Sequence, residues 1–167
     1  MNYYVAQVNI AKMLAPVDSP VMADFVANLD KINSLAEASD GFRWRLKTEG
    51  NNATDIKVYD DDFIIVNMSV WQDVESLFAF TYRSSHTEVF KRRREWFEKM
   101  SDMHMCLWYI PADKMPAAID TVDRLDYIRK HGETPYAFTF KKRFTLEEYL
   151  RYINKTDPAG GATRVRY

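Results

Sequence analysis

Apolar positions change period several times along this chain, and each change marks an element. Tyr3 to Ile10 is rich in aromatic and β-branched residues and predicts a first strand. Ser19-Pro20 pairs a capping residue with proline at the first helical position. Val21, Phe25, Leu29, Ile32 and Ala36 then recur at helical spacing to about Ala38, and Asp40-Gly41 ends the helix. Phe42, Trp44 and Leu46 alternate with Arg43, Arg45 and Lys47, the period of a strand with one apolar face. Residues 49–62 are polar and predict a loop. Phe63 to Trp71 is a longer strand, with Ile64, Val66, Met68 and Val70 on one side and Phe63, Ile65, Asn67, Ser69 and Trp71 on the other. Both sides are largely apolar, so both are expected to be covered. Asp73 caps a short helix through Phe80, and Ser85 caps a longer one running to Met100. Met103 to Ile110 is a fourth strand, stopped by Pro111.

The resulting order, β-α-β-β-α-β, is that of a ferredoxin-like α+β domain over residues 1–112, with both helices on one face of an antiparallel sheet. Such a sheet leaves its second face bare. An apolar bare face either dimerises or collects more chain. More chain follows as a helical extension over 113–153, packed on the same domain. Pro116 opens a helix carrying Ala118, Val122, Leu125 and Ile128 and closed by His131-Gly132. Tyr136, Phe138 and Phe140 alternate as a short strand, and Thr145-Leu146-Glu147-Glu148 is a capping box for a last helix with Tyr149, Leu150 and Ile153. Residues 154–167 are expected to be a flexible tail.

The segment from Ser85 to Met100 carries the most informative anomaly. As one helix it places Val89, Phe90, Trp96, Phe97 and Met100 on a single face, with His86 and Arg93 in the middle of that stripe. Burying an imidazole and a guanidinium unpaired costs several kcal/mol, so they call for a partner, a water-filled pocket or a ligand. Asn9 on the first strand, Asn67 and Trp71 on the third and Asn28 at the edge of the first helix's apolar face are placed to approach them. Asn67, Trp71, His86 and Arg93 are therefore candidate catalytic residues, with Arg93 as an oxyanion anchor and His86 as a proton carrier. Asn9, Asn28 and Trp96 are candidate substrate contacts. His104 reads as a satisfied core histidine inside a strand, and His131 as a helix C-terminal cap.

Composition narrows the functions. The 167 residues carry 23 basic and 24 acidic side chains, a net charge of −1, so no global field favours nucleic acid or an anionic membrane. Lys91-Arg92-Arg93-Arg94 is interleaved with Glu88, Glu95 and Glu98 and reads as a solvated face. The single cysteine, Cys106, sits in an apolar run, which excludes a disulfide within the chain and predicts a buried thiol. No stretch approaches the ~20 apolar residues of a membrane span, and no secretory leader is visible, so the expected location is the cytoplasm. The three histidines lack the spacing of a zinc site, and no phosphate-binding loop or nucleophile elbow occurs.

Several segments together are similar to a bacterial family labelled domain of unknown function 3291. They are Tyr4 to Ala11, Ser19 to Val26, Val66-Asn67-Met68-Ser69-Val70-Trp71, His86 with Arg92 to Phe97, Leu107-Trp108-Tyr109-Ile110-Pro111-Ala112, and Thr134 to Phe140. The resemblance spans about residues 3–141. It implies the dimeric α/β-barrel superfamily of antibiotic-biosynthesis monooxygenases and haem-degrading enzymes, hence a homodimer of two sheets packed face to face. It also implies an Asn and a Trp four residues apart on a central strand, as in Asn67 and Trp71, holding a phenolic or polyketide-type substrate with no cofactor. The haem-degrading relatives imply a second reading, with Asn9 and His86 near haem, although Phe80 stands where their Trp would be. A third reading is a non-catalytic small-ligand binder or dimeric scaffold.

Overall fold

A computed structural model describes residues 2–48, 53, 54 and 56–156. The expected tail from 157 and the centre of the polar loop lie outside these residues. Those described form an α+β fold: a four-stranded antiparallel sheet and five helices. The strands are β1 (Tyr3–Lys12), β2 (Phe42–Arg45), β3 (Ile64–Trp71) and β4 (Met105–Pro111). The helices are α1 (Ala23–Glu37), α2 (Val74–Arg83), α3 (His86–Lys91), α4 (Asp120–His131) and α5 (Leu146–Thr156). The strands lie in the order β2-β3-β1-β4. Gln7 stands opposite Ser69 and Leu107, and Asn9 opposite Asn67 and Met105.

Local signals explain most element starts. The Asp73 carboxylate accepts from the Ser76 backbone N–H at 2.7 Å and caps α2. Thr145 and Glu148 form the expected reciprocal box, with Glu148 Oε2 accepting from Thr145 N–H at 2.7 Å and Thr145 Oγ1 from Glu148 N–H at 3.2 Å. Ser19 opens a 3-10 turn over Pro20–Met22 through its carbonyl, which accepts from Met22 N–H, rather than through its hydroxyl. Ser85 holds the N-cap position of α3 without a side-chain bond, and it is the Ser84 hydroxyl that accepts from His86 N–H, at 3.1 Å.

The single helix expected over 85–100 does not form. α3 ends at Lys91, a 3-10 turn covers Arg93–Glu95, and the chain then runs beside the end of β1. Two backbone bonds hold it there, Leu14 N–H to Trp96 O and Glu98 N–H to Lys12 O, both 2.9 Å. This extended path seats Trp96 against Met13 and Met22 with 2% of its surface exposed, a burial that a continuing helix would forgo. His104 also departs from expectation: β4 starts at Met105, two residues later than expected, and His104 is exposed beside the Asp102 carbonyl. Only Phe138 of the Tyr136–Phe140 alternation pairs with the sheet, as a bridge to Leu107.

The two sheet faces have different covers. Ala6, Val8, Val70, Cys106, Trp108 and Ile110 form one core with Leu125 and Ile128 of α4. The second face is therefore roofed by the chain's own extension. The other face carries α1, α2 and α3, and its core is divided in two. Val5, Trp71 and Leu107 meet Ala36, Val74 and Leu77 at one end; Met13 and Ile65 meet Met22, Phe25, Val89 and Trp96 at the other.

Candidate functional site

Between those two apolar clusters the helix-facing side of the sheet is polar. Gln7 and Asn9 of β1 stand directly across the ladder from Ser69 and Asn67 of β3, and Arg45 of β2 lies beside Ser69. Strand alternation puts all five on one face. The side chains nearest the centre are hydrogen-bonded in series: Trp71 Nε1–H donates to Ser69 Oγ at 2.9 Å, Ser69 to Gln7 Oε1 at 3.0 Å, and Gln7 Nε2–H to Asn9 Oδ1 at 2.8 Å. Such pairing is what allows polar groups to stay at this depth.

Asn67 is exposed although it lies mid-strand on the face that the helices cover. It opens onto a cleft of about 60 Å³ between α1 and the sheet, lined by Phe25, Leu29, Asn33, Arg45, Thr54 and Asn67. This is well under the ~300 Å³ at which drug-sized pockets begin, so the cleft can seat the edge of one small ring or a few polar atoms, not a fused polyketide. Arg45 is 7% exposed, and its Nε–H donates to Glu37 Oε1 at 2.9 Å. Lys47 Nζ approaches the same carboxylate at 3.9 Å. The cation at the cleft is thus already balanced.

Trp71 also begins an aromatic column. Its indole stacks on Phe80 with centroids 5.0 Å apart, Phe80 lies 4.9 Å from the His86 ring, and His86 lies 6.1 Å from Phe90. The Arg93 guanidinium caps Phe90 at 4.4 Å. Burial between these rings pushes the His86 imidazole below its ordinary value, partly opposed by the Thr81 carbonyl 3.3 Å from Nδ1. His86 is thus neutral at pH 7, as a proton acceptor would need to be.

The candidates named from sequence divide clearly. Asn9, Asn67 and Trp71 share one face and, through Ser69 and Gln7, Asn9 is tied to Trp71. His86 joins them only through Phe80. Arg93 is exposed and donates to the Phe90 carbonyl at 3.0 Å, so it does not enter the apolar stripe; the break after Lys91 rotates it outward. Asn28 Nδ2–H donates to Asp24 O of its own helix at 2.8 Å, a bond outside the polar belt. Trp96 is buried with Met13 and Met22, under the Arg92 guanidinium at 4.9 Å, and serves packing there. Trp71 is fully buried in the Val5–Leu77 cluster with its N–H bonded to Ser69, so its indole is not a direct contact for a ligand.

Sequence reasoning overlooked Gln7, Ser69 and Arg45. The signal was present: Gln7 and Asn9 share strand parity, as do Asn67 and Ser69, so two polar pairs were due on one face. Cys106 is buried as expected, and burial pushes its thiol up to about 12. Among the described residues no group of three or more His, Cys, Asp or Glu is placed to hold a metal ion. No described helix is long and apolar enough to cross a membrane.

Residues 4–153 match the family described as a domain of unknown function, DUF3291, and the chain belongs to that family. Two solved structures are similar. The NE2512 protein of unknown function from Nitrosomonas europaea is 15% identical with a TM-score of 0.42, the match covering 70% of this chain and 97% of that one. Rv0793 from Mycobacterium tuberculosis is 16% identical with a TM-score of 0.44, covering 69% and 98% respectively. No curated protein matches the chain.

Proposed function

We propose that this DUF3291 protein binds a small ring-bearing molecule in the cleft between α1 and the helix-facing side of the sheet, with Asn67 as the contact group. The observation that carries this reading is the polar belt itself. A sheet face built only to pack against helices would not interrupt two apolar clusters with Gln7, Asn9, Asn67 and Ser69, nor leave Asn67 open to solvent in mid-strand. Phe25 and Leu29 supply the apolar wall, while Asn33 and Asn67 supply directional polar groups, the usual division of labour in a ligand site.

The strand order β2-β3-β1-β4 supports a ferredoxin-like reading of the fold, and with it the kinship to cofactor-independent monooxygenases. Binding is nevertheless favoured over catalysis. His86 is the neutral base such a reaction would use, and the Phe80 ring stands between it and Trp71. Face-to-face pairing of two sheets would require α4 to leave its seat on the face opposite the cleft.

Titration with phenol, followed by NMR of the Asn and Gln side-chain amides, tests the reading. Phenol is expected to shift the Asn67 and Asn33 resonances in wild type and to bind at least tenfold more weakly to Asn67→Leu, read there from Asn33, with the melting temperature unchanged. Undiminished binding in Asn67→Leu would remove the reading. A Soret band in purified protein, lost in His86→Ala, would replace it with the haem reading.

A further inference from the structure

From the direction of the Trp71–Ser69–Gln7–Asn9 hydrogen bonds, we infer that the site selects ligands presenting a hydrogen-bond acceptor, a carbonyl or phenolate oxygen, to the Asn9 amide. This deepens the binding reading above and rests on it. An indole N–H can only donate. Trp71 Nε1 therefore makes Ser69 Oγ an acceptor, at 2.9 Å. The Ser69 proton then has the Gln7 carboxamide oxygen as its acceptor, at 3.0 Å. With its oxygen so engaged, Gln7 turns its NH2 toward Asn9 and donates to Oδ1 at 2.8 Å. Were Gln7 flipped, Ser69 would accept from both neighbours and its proton would lose that partner, 8% exposed as Ser69 is.

The setting of a group two links away thus fixes which end of Asn9 is spent. Its Oδ1 is turned toward Gln7 and accepts there, so its NH2 is the end turned away from that bond. Asn9 is half-buried and stands directly across the β1–β3 ladder from Asn67, on the same face. Opposed residues on such a ladder have Cβ atoms about 5 Å apart, so Asn9 is the ladder neighbour of Asn67, the amide that lines the cleft, and a ligand seated on Asn67 comes within reach of it. Asn67 has no such chain behind it and can turn either end to a ligand. Asn9 supplies the polarity, and Gln7, Ser69 and Trp71 are positioning residues that act through it.

Gln7→Glu reverses the chain with almost no change of shape. A carboxylate at position 7 still accepts from Ser69, but it can only accept from Asn9, which must flip and turn Oδ1 outward. Two neutral single-ring probes report the result by NMR titration: acetophenone, which only accepts, and aniline, a donor through its NH2. Wild type is expected to prefer acetophenone at least fivefold, Gln7→Glu to prefer aniline, and Ser69→Ala to lose the preference while keeping its fold. The Ser69→Ala arm stands even if Glu at position 7 prevents folding. Equal binding of both probes to wild type, or a preference unaltered in folded Ser69→Ala or Gln7→Glu, overturns the polarity argument and leaves the site intact. If neither probe moves the Asn9 or Asn67 amides, the site reading itself fails.

Discussion

Leu125→Ala measures whether α4 holds the second sheet face. Leu125 is fully buried, and it shares its core with Ala6, Val8, Trp108 and Ile110. The substitution removes three carbons, which at ~0.8 kcal/mol per buried methylene is ~2.4 kcal/mol of lost transfer free energy. The vacancy adds up to ~2 kcal/mol if its walls do not relax, so the expected cost is about 2.5–4 kcal/mol. A domain of this size has a total stability of roughly 5–15 kcal/mol, so the change is a large fraction of it. With a urea m-value near ~2 kcal/mol/M, the midpoint should fall by roughly 1–2 M at constant m. Ile119, 58% exposed just before α4, is the control: Ile119→Ala should stay within about 0.5 kcal/mol. A cost below about 1 kcal/mol for Leu125→Ala would mean that α4 does not pack on the sheet. The face would then be bare, and a concentration-dependent dimer by light scattering should appear in its place.

Two further outcomes follow from local geometry. His86 titrates below its ordinary 6.5 because it is buried, so the unfolded chain takes up the proton first as pH falls. Its contribution to stability is full above about pH 6.5 and is lost as pH drops through the folded value, so melting temperature should fall more steeply between pH 7 and 5 in wild type than in His86→Phe; parallel slopes would refute this. Gly41 has φ +79°, and a Cβ there would collide with the Ser76 side chain at the start of α2. Gly41→Ala should therefore cost about 2 kcal/mol in chemical denaturation, and a neutral result would show that the turn can relax.

Much of the fold was legible because its signals are local. The Thr145–Glu148 box, the Asp73 cap and the alternation of β1 and β3 each depend on residues a few positions apart. The His86/Arg93 stripe was not, because it assumed that helical spacing persists through Trp96. The chain instead leaves the helix where β1 offers backbone partners at Lys12 and Leu14. Arg93 turned outward as a result, while His86 kept a half-buried place because Phe80 and Phe90 flank it. Of the candidate site, Asn67 and Trp71 were readable as residues of one face, and Asn9 as a residue near the end of the first strand. Their connection through Gln7 and Ser69 needed the β1–β3 register, which pairs positions some sixty residues apart.

By itself the sequence determined most element types, the antiparallel α+β class, the polar parity of β1 and β3, and the need for something to cover an apolar second face. Those follow from side-chain period and chain chemistry, which each segment carries with it. Only the tertiary structure decided what the cover is and where function can sit. Of the two covers expected for that face, further chain or a second copy, α4 supplies the first, with Leu125 and Ile128 packed on the sheet without the entropy of association. Strand register, rather than helix periodicity, gathers the polar side chains into one hydrogen-bonded belt, because long-range pairing chooses which distant residues share a face.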